Sequence, residues 1–156
     1  MSTRCRIGIQ NKNGTITSIY CHFDGYIDWV GKILVDNYKD EGKVKQLMSL
    51  GDISSLGTEP IANPRAWEMP TPTFNKSWDE QWKEINPEDR CNTYASRGDD
   101  CPAETSKNAT EYRQLSRDCN GEYTYLFKDN IWYVLNGSGM SEVQRILKCN
   151  KSKISG

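Results

Sequence analysis

The chain has 156 residues, a length typical of one domain with one hydrophobic core. Its formal net charge is −1, from 20 basic and 21 acidic side chains. The positive field that draws proteins to phosphate backbones is therefore missing, and duplex DNA is not expected as a partner. No apolar run approaches the length of a membrane span, and the N-terminus lacks the apolar segment of a signal peptide. We expect a single domain over residues 1–156, in the cytoplasm and without a membrane partner.

Two alternating stretches open the chain and predict a β-hairpin around the tight-turn signal Asn13-Gly14. From Asp24 onward the apolar residues recur at spacings of three, four and seven, which predicts a helix over residues 25–37 with Asp24 as its N-cap. A second, shorter helix follows and ends at Gly51, a residue suited to a left-handed C-cap.

The next segment is rich in proline and tryptophan. Four prolines between Thr58 and Thr73 exclude a regular helix or a central strand there. A capping box from Ser77 to Glu80 then predicts a short helix with Trp78 and Trp82 on one face. We expect residues 52–90 to form a surface elaboration of the single domain.

The C-terminal half predicts a strand at 91–95, a helix within "NATEYRQLSRD" and a second hairpin on either side of "KDN". In that hairpin Trp132 and Val134 should face Tyr125 and Phe127 across the strands. Ser141 is expected to cap a final helix. Together these elements predict an α+β fold, an antiparallel or mixed sheet of two hairpins covered by helices on one face.

The chain contains six cysteines, which we expect to stay reduced in a reducing compartment. No Cys-x-x-Cys pair occurs, and the separations of Cys91, Cys101 and Cys119 are loose for a structural zinc site. We therefore expect no metal and no cofactor.

The opening stretch "MSTRCRIGIQNKNGTITSIYCHFDGYIDWVGKIL" resembles a family of small proteins encoded by bacteriophages and prophages. The similarity continues through "GDISSLG" and returns more loosely at "YASRGDD" and "YLFKDNIWYV". It implies a phage setting but no particular activity. Ser96 stands where the family tends to carry an acidic residue, which weakens the argument for a charged cluster at that position.

The stretch "SIYCHFDGY" contains the only histidine of the chain and is the first candidate site. In a strand Tyr20 and His22 share one face, so Cys21 should point into the core. A helix beginning after Asp24 would expose backbone N–H groups that could hold a phosphate. A structural hydrogen-bonding unit, a ligand site with Tyr26 as an added aromatic, and an acid–base centre all remain open.

The second candidate site is "SRGDD", in which Arg97 is close in sequence to Asp99 and Asp100. Such a turn either neutralises itself or clamps a phosphate or carboxylate.

The tryptophans Trp67, Trp78 and Trp82 form a third candidate, as anchors for a partner protein. Stripes of aromatic residues at helical spacing are otherwise typical of a packed core.

Three functional hypotheses follow. The first is a phage accessory protein that acts by binding, either docking on a host defence protein or sequestering a nucleotide signal with Tyr20, His22, Tyr26 and Arg97. The second is a nucleotide hydrolase that uses His22, Asp24, Asp99 and Asp100. The third is a purely structural or regulatory phage protein. Catalysis is disfavoured because no known catalytic motif occurs, and exposed hairpin edges could pair into a homodimer.

Overall fold

The computed structural model describes residues 3–71, 73–137 and 139–155. Within them, eight strands form one mixed sheet in the order β4-β3-β2-β1-β6-β7-β8, with β5 pairing on β2. The strands are β1 Cys5–Gln10, β2 Ile16–Cys21, β3 Ile53–Ser55, β4 Asn92–Thr93, β5 Glu104–Ser106, β6 Tyr123–Lys128, β7 Ile131–Asn136 and β8 Gly139–Glu142. The helices are α1 Lys32–Asn37, α2 Glu41–Ser49, α3 Trp78–Ile85, α4 Ala109–Asp118 and α5 Val143–Ser155. The predicted α+β class is confirmed.

Both predicted hairpins are present, and their turns explain why. In the second hairpin Asp129 and Asn130 have φ +53° and +64°, as a two-residue turn that matches the strand twist requires. In the first hairpin Gly14, with φ +88°, lies in the longer loop between Gln10 and Ile16. In the second hairpin Tyr125 faces Val134 and Phe127 faces Trp132, as predicted. A parallel pairing of β1 with β6 joins the two hairpins, and this pairing makes the sheet mixed.

Helices cover both faces of the sheet, whereas the sequence analysis expected one. The main core lies on the face of Ile7, Ile19 and Tyr125, under α1, α2 and α5. Side chains alternate along a strand, so Ile16 and Leu126 point to the opposite face, where they pack against Tyr112 of α4. Gly8 makes room for this packing, because a Cβ there would lie 2.8 Å from the Tyr112 ring.

Three short strands escaped the sequence analysis. The strands β3 and β5 have three residues each, too few for a recognisable alternation, and both lie along the outer edge of β2. The strand β8 forms against the free edge of β7 and places Ser141 opposite Val134. The prediction that Ser141 caps the last helix is therefore wrong, because strand pairing takes this residue. At 91–95 only Asn92–Thr93 is a strand, and a 3₁₀ turn, Ala95–Arg97, follows.

The segment between β3 and β4 leaves the sheet and returns beside its own starting point. Its neck is closed by backbone hydrogen bonds from Thr58 N to Glu88 O (3.0 Å) and from Cys91 N to Ile61 O (2.8 Å). Within it, Ser77 caps α3 by accepting a hydrogen bond from Glu80 N, as predicted. That this segment elaborates one domain, and that the chain forms a homodimer, stay predictions.

Candidate functional site: an aromatic groove

The turn that follows β2 is held by backbone contacts rather than by a helix cap. Gly25 N donates to Thr3 O (2.8 Å), and the Tyr125 hydroxyl donates to Gly25 O (2.6 Å). Asp24 takes φ +58°, a left-handed conformation that Asp tolerates better than most residues. The predicted N-cap role of Asp24 is wrong, because helical structure begins only after Tyr26, which makes no side-chain cap.

The first helical segment also differs from the prediction. A π-helical turn, Ile27–Gly31, precedes α1, so the stretch expected as one α-helix over 25–37 consists of two short pieces. This geometry leaves Trp29 half exposed beside the turn. A five-residue π-turn does not provide the row of free N–H groups that the phosphate-binding hypothesis needs.

Two polar side chains of "SIYCHFDGY", those of Tyr20 and His22, are hydrogen-bonded to each other. Tyr20 Oη lies 2.6 Å from His22 Nδ1, and Cys21 is fully buried. Burial, followed by the positive charge of Arg4, lowers the pKa of His22, so the imidazole is neutral at physiological pH. Burial also raises the pKa of Tyr20 to about 12. The two groups therefore form a hydrogen bond while both are uncharged. His22 thus lacks the positive charge that would attract an anion such as a phosphate.

Asp52 supports the backbone of the same strand. Its Oδ1 accepts a hydrogen bond from Tyr20 N (2.9 Å), an amide in the gap between the β5 and β3 pairings on β2. Burial raises the pKa of Asp52 despite this bond and the nearby Arg6 guanidinium. The carboxylate thus accepts a hydrogen bond from the backbone N–H of a β2 residue that is paired with neither β3 nor β5. No pattern in the sequence predicted this role for Asp52.

Beside the turn lies a groove of about 390 Å³, which we call the aromatic groove. Phe23, Asp24 and Trp29 line it from the turn, and Ser54, Ser55 and Leu56 line it from the end of β3. The remaining wall comes from the segment between β3 and β4 and from the first residue of β4; it is made of Ala66, Trp67, Glu68, Met69, Trp82, Asn86, Pro87, Glu88, Arg90 and Asn92. A hydrogen bond from Phe23 N to Ser54 O (2.8 Å) fixes the turn against β3.

The tryptophans are distributed unusually between core and surface. Only Trp132 of the five is buried, at 4% exposure, whereas Trp29, Trp67, Trp78 and Trp82 are 50%, 39%, 46% and 41% exposed. With Phe23 they expose roughly 400 Å² of aromatic residue surface, taking about 200 Å² for each residue. A patch of that size is comparable to the largest apolar patches of monomeric proteins, which are often functional.

Arg97 packs against Trp67, one of the residues that line the aromatic groove. Its guanidinium carbon is 4.4 Å from the centroid of the Trp67 ring and 5.4 Å from that of Tyr94. The same guanidinium donates to Asp99 Oδ2 through Nη2 (2.6 Å) and Nε (2.9 Å). Arg97 is thus paired with Asp99, one of the two acidic residues of "SRGDD", and both interpretations of this turn stay predictions.

Three of the predicted site residues, Asp24, Trp67 and Trp82, line the aromatic groove together. Others border it: the His22 ring meets Phe23 edge-on at 4.5 Å, Trp78 stacks on Trp82 at 5.2 Å, and Arg97 covers Trp67. Tyr20, Tyr26 and Asp99 are not among the lining residues. The structure therefore joins the first candidate stretch to the tryptophans through a shared groove rather than through a pocket between His22 and Arg97.

No protein-family model, curated protein or solved structure matches this chain. In the described part of the chain, none of the helices combines the length and apolar character needed to cross a bilayer. Residues 3–71, 73–137 and 139–155 contain no group of three or more His, Cys, Asp or Glu side chains placed to hold a metal ion. The groove itself is the remaining guide to function.

Phe23, Trp29 and Met69 also line the groove, although they were not among the predicted site residues. One signal was available: Trp29 falls off the apolar stripe of Ile27 and Val30, so a helical reading already turned it towards solvent. Nothing in the sequence indicated that the segment between β3 and β4 returns beside this turn.

Proposed function

We propose that this protein acts by binding another protein, whose side chains dock in the aromatic groove. The observation that supports the proposal is the exposure of four of the five tryptophans, with Trp29, Trp67 and Trp82 lining one concave surface. Tryptophan anchors seated in a groove are the residues that most often dominate binding energy at protein interfaces. Exposing them also carries a solubility cost, which a binding role explains.

The charge around the groove favours a protein over a nucleotide. Its lining includes three carboxylates, Asp24, Glu68 and Glu88, and one guanidinium, Arg90. A phosphate would be repelled there, since phosphate sites rely on Arg, Lys or free backbone N–H groups. Arg97, the cation assigned to the nucleotide hypothesis, is already paired with Asp99. Sequestration of a nucleotide signal is therefore the less favoured form of the binding hypothesis.

The hydrolase hypothesis has the same difficulty. His22 Nδ1 is hydrogen-bonded to the Tyr20 hydroxyl, and Asp99 accepts a hydrogen bond from Arg97, so these polar atoms already have partners within the protein. A general base needs its lone pair directed at a substrate or at a water molecule. Binding without turnover is the proposal that the arrangement of these side chains supports.

The resemblance to phage and prophage proteins supplies the setting of the proposal. We infer that the partner is a host defence protein in the bacterial cytoplasm and that docking blunts its action. An acidic groove with aromatic walls suits a partner surface that carries apolar and basic side chains.

The experiment begins with bacterial strains that each carry one defence system and are challenged with a sensitive phage. The wild-type chain should restore infection in one strain, and the purified effector of that strain should form a complex with it, measured by calorimetry. Trp29→Ala and Trp82→Ala should each weaken the complex by more than about 1 kcal/mol and abolish the rescue. Met140→Ala is the matched control, because this exposed apolar residue lies on β8 at the opposite edge of the sheet from β4.

Two results would contradict the proposal. One is a complex of unchanged affinity in the Trp29→Ala, Trp82→Ala double variant. The other is a nucleotide bound to the wild-type chain in native mass spectra and lost in Arg97→Ala, which would favour sequestration instead.

A further inference from the structure

We infer that the aromatic groove receives the guanidinium of an arginine side chain from the partner protein. The inference rests on the proposed function and names the chemistry that the groove recognises. Its lining combines four aromatic residues, Phe23, Trp29, Trp67 and Trp82, with the carboxylates of Asp24, Glu68 and Glu88. Aromatic rings attract cations through their electron-rich faces, and tryptophan does so most strongly.

The protein already contains one example of this interaction. The Arg97 guanidinium lies 4.4 Å from the Trp67 ring centroid, within the range at which a cation is attracted to a ring. Trp67 is held in place by a hydrogen bond from its Nε1 to Thr93 O (2.9 Å). One wall of the groove is thus a fixed indole that binds a guanidinium within this same chain.

The charges in the groove remain unbalanced after all internal pairs are considered. Glu68 pairs with Arg65 (2.7 Å), and Arg90 lies 4.0 Å from Asp89. Within the part of the chain that the structure describes, Asp24 and Glu88 have no ion-pair partner. The groove therefore carries a negative surplus beside its aromatic walls, and an incoming cation would offset it.

Arginine fits this combination better than lysine or a neutral side chain. Its planar guanidinium can stack between rings and at the same time donate two parallel hydrogen bonds to a carboxylate. The lysine ammonium is a compact, strongly hydrated charge that gains less from stacking. A leucine or phenylalanine would fill the space but would leave Asp24 and Glu88 without a partner.

The test uses three synthetic peptides that differ at one central position, which is arginine, citrulline or lysine. Citrulline has nearly the shape of arginine but carries no charge. Binding is followed by the NMR shifts of the indole Nε1–H groups, which report on each tryptophan separately. We expect the arginine peptide to shift Trp29, Trp67 and Trp82, to leave the buried Trp132 unchanged, and to bind roughly ten-fold more tightly than the citrulline peptide. Lysine should lie between them.

The variant Asp24→Asn, Glu88→Gln should lower the preference for arginine over citrulline to the part that the aromatic rings provide, without changing citrulline binding. Asn is suitable at position 24 because it tolerates the left-handed backbone there. The matched control, Glu111→Gln with Asp118→Asn on α4, removes two charges from the other face of the sheet and should leave the preference intact.

Equal affinity for the arginine and citrulline peptides would overturn the inference, as would an arginine preference that is undiminished in Asp24→Asn, Glu88→Gln. Absence of arginine-peptide binding would overturn it too. None of these results removes the effector complex that depends on Trp29 and Trp82. The inference and the proposed function therefore fail through different measurements.

Discussion

Substitution of Gly57 by alanine tests a close backbone contact at the neck of the segment between β3 and β4. There the backbone at Gly57 lies against the backbone of Arg90. A Cβ on Gly57 would lie 2.2 Å from Arg90 O, 2.4 Å from Arg90 C and 2.7 Å from Arg90 N. Ordinary contact begins at 3.4 Å, so the two chain segments must separate by about 1.2 Å. All three neighbours are backbone atoms, which have no side-chain rotation to relieve the overlap.

The expected loss of stability follows from the hydrogen bonds that such a separation disturbs. The buried Tyr38 hydroxyl donates to Gly57 O (2.8 Å), and Gly57 N donates to Cys91 Sγ (3.2 Å). Overpacking of a buried position costs roughly 1–3 kcal/mol, and an unsatisfied buried polar group adds about 1–3 kcal/mol. With partial relaxation we expect Gly57→Ala to lower the free energy of unfolding by about 2–4 kcal/mol. For a chain of this length that corresponds to a fall in Tm of about 5–15 °C.

Circular dichroism during guanidinium and thermal unfolding measures the effect. Gly14→Ala is the control: Gly14 has φ +88°, and among the described residues no atom beyond its two chain neighbours lies within 4 Å of an added Cβ, so only backbone strain of about 1 kcal/mol is expected. The reasoning is refuted if Gly57→Ala costs less than Gly14→Ala. It is also refuted if Gly57→Ala has both the stability and the indole Nε1–H NMR spectrum of the wild type.

Three further predictions concern titratable groups. Because burial raises the pKa of Asp52, the folded state keeps this proton to a higher pH than the unfolded chain, and stability falls as pH rises through that window. Asp52→Asn, which can still accept from Tyr20 N, should therefore gain stability near neutral pH but not below pH ~4, and urea unfolding that shows no gain at neutral pH would contradict this. Burial raises the pKa of Tyr20 from 10.0 to about 12, so its contribution to stability is complete below pH 10 and is lost towards pH 12. Ultraviolet titration should show tyrosines that ionise late, and all eight ionising near pH 10 in a folded protein would be the opposite result. A thiol reagent should modify the exposed Cys149 first and the buried thiols only on unfolding, namely Cys5, Cys21 and Cys91; mass mapping of an early label on Cys5 would count against this order.

Where one local interaction determines an element, the sequence alone was sufficient. The Asn13-Gly14 turn, the capping residue Ser77 and the left-handed Gly51 each act within four residues, and all are present as predicted. The alternation of Tyr125 and Phe127 likewise predicted which side chains face Trp132 and Val134. Such signals depend on backbone geometry and on nearest neighbours, which a sequence displays directly.

Elements that depend on distant partners could not be predicted in this way. The strand β8 exists because β7 offers a free edge, and this pairing overrides the helix-capping tendency of Ser141. Asp24 does not cap a helix because Gly25 is bonded to Thr3 and to Tyr125, a residue one hundred positions away. In both cases a long-range contact outweighs a local preference.

The sequence by itself determined the α+β class, the two hairpins and a candidate list that included Asp24, Trp67 and Trp82. Only the tertiary structure decided that these three residues share one groove with Phe23 and Trp29. The physical reason is that hydrogen bonds at Thr58 and Cys91 return the segment between β3 and β4 to the turn after β2. The exposure of a side chain depends on which distant segment packs beside it, and the neighbouring residues in the sequence do not indicate which segment that is.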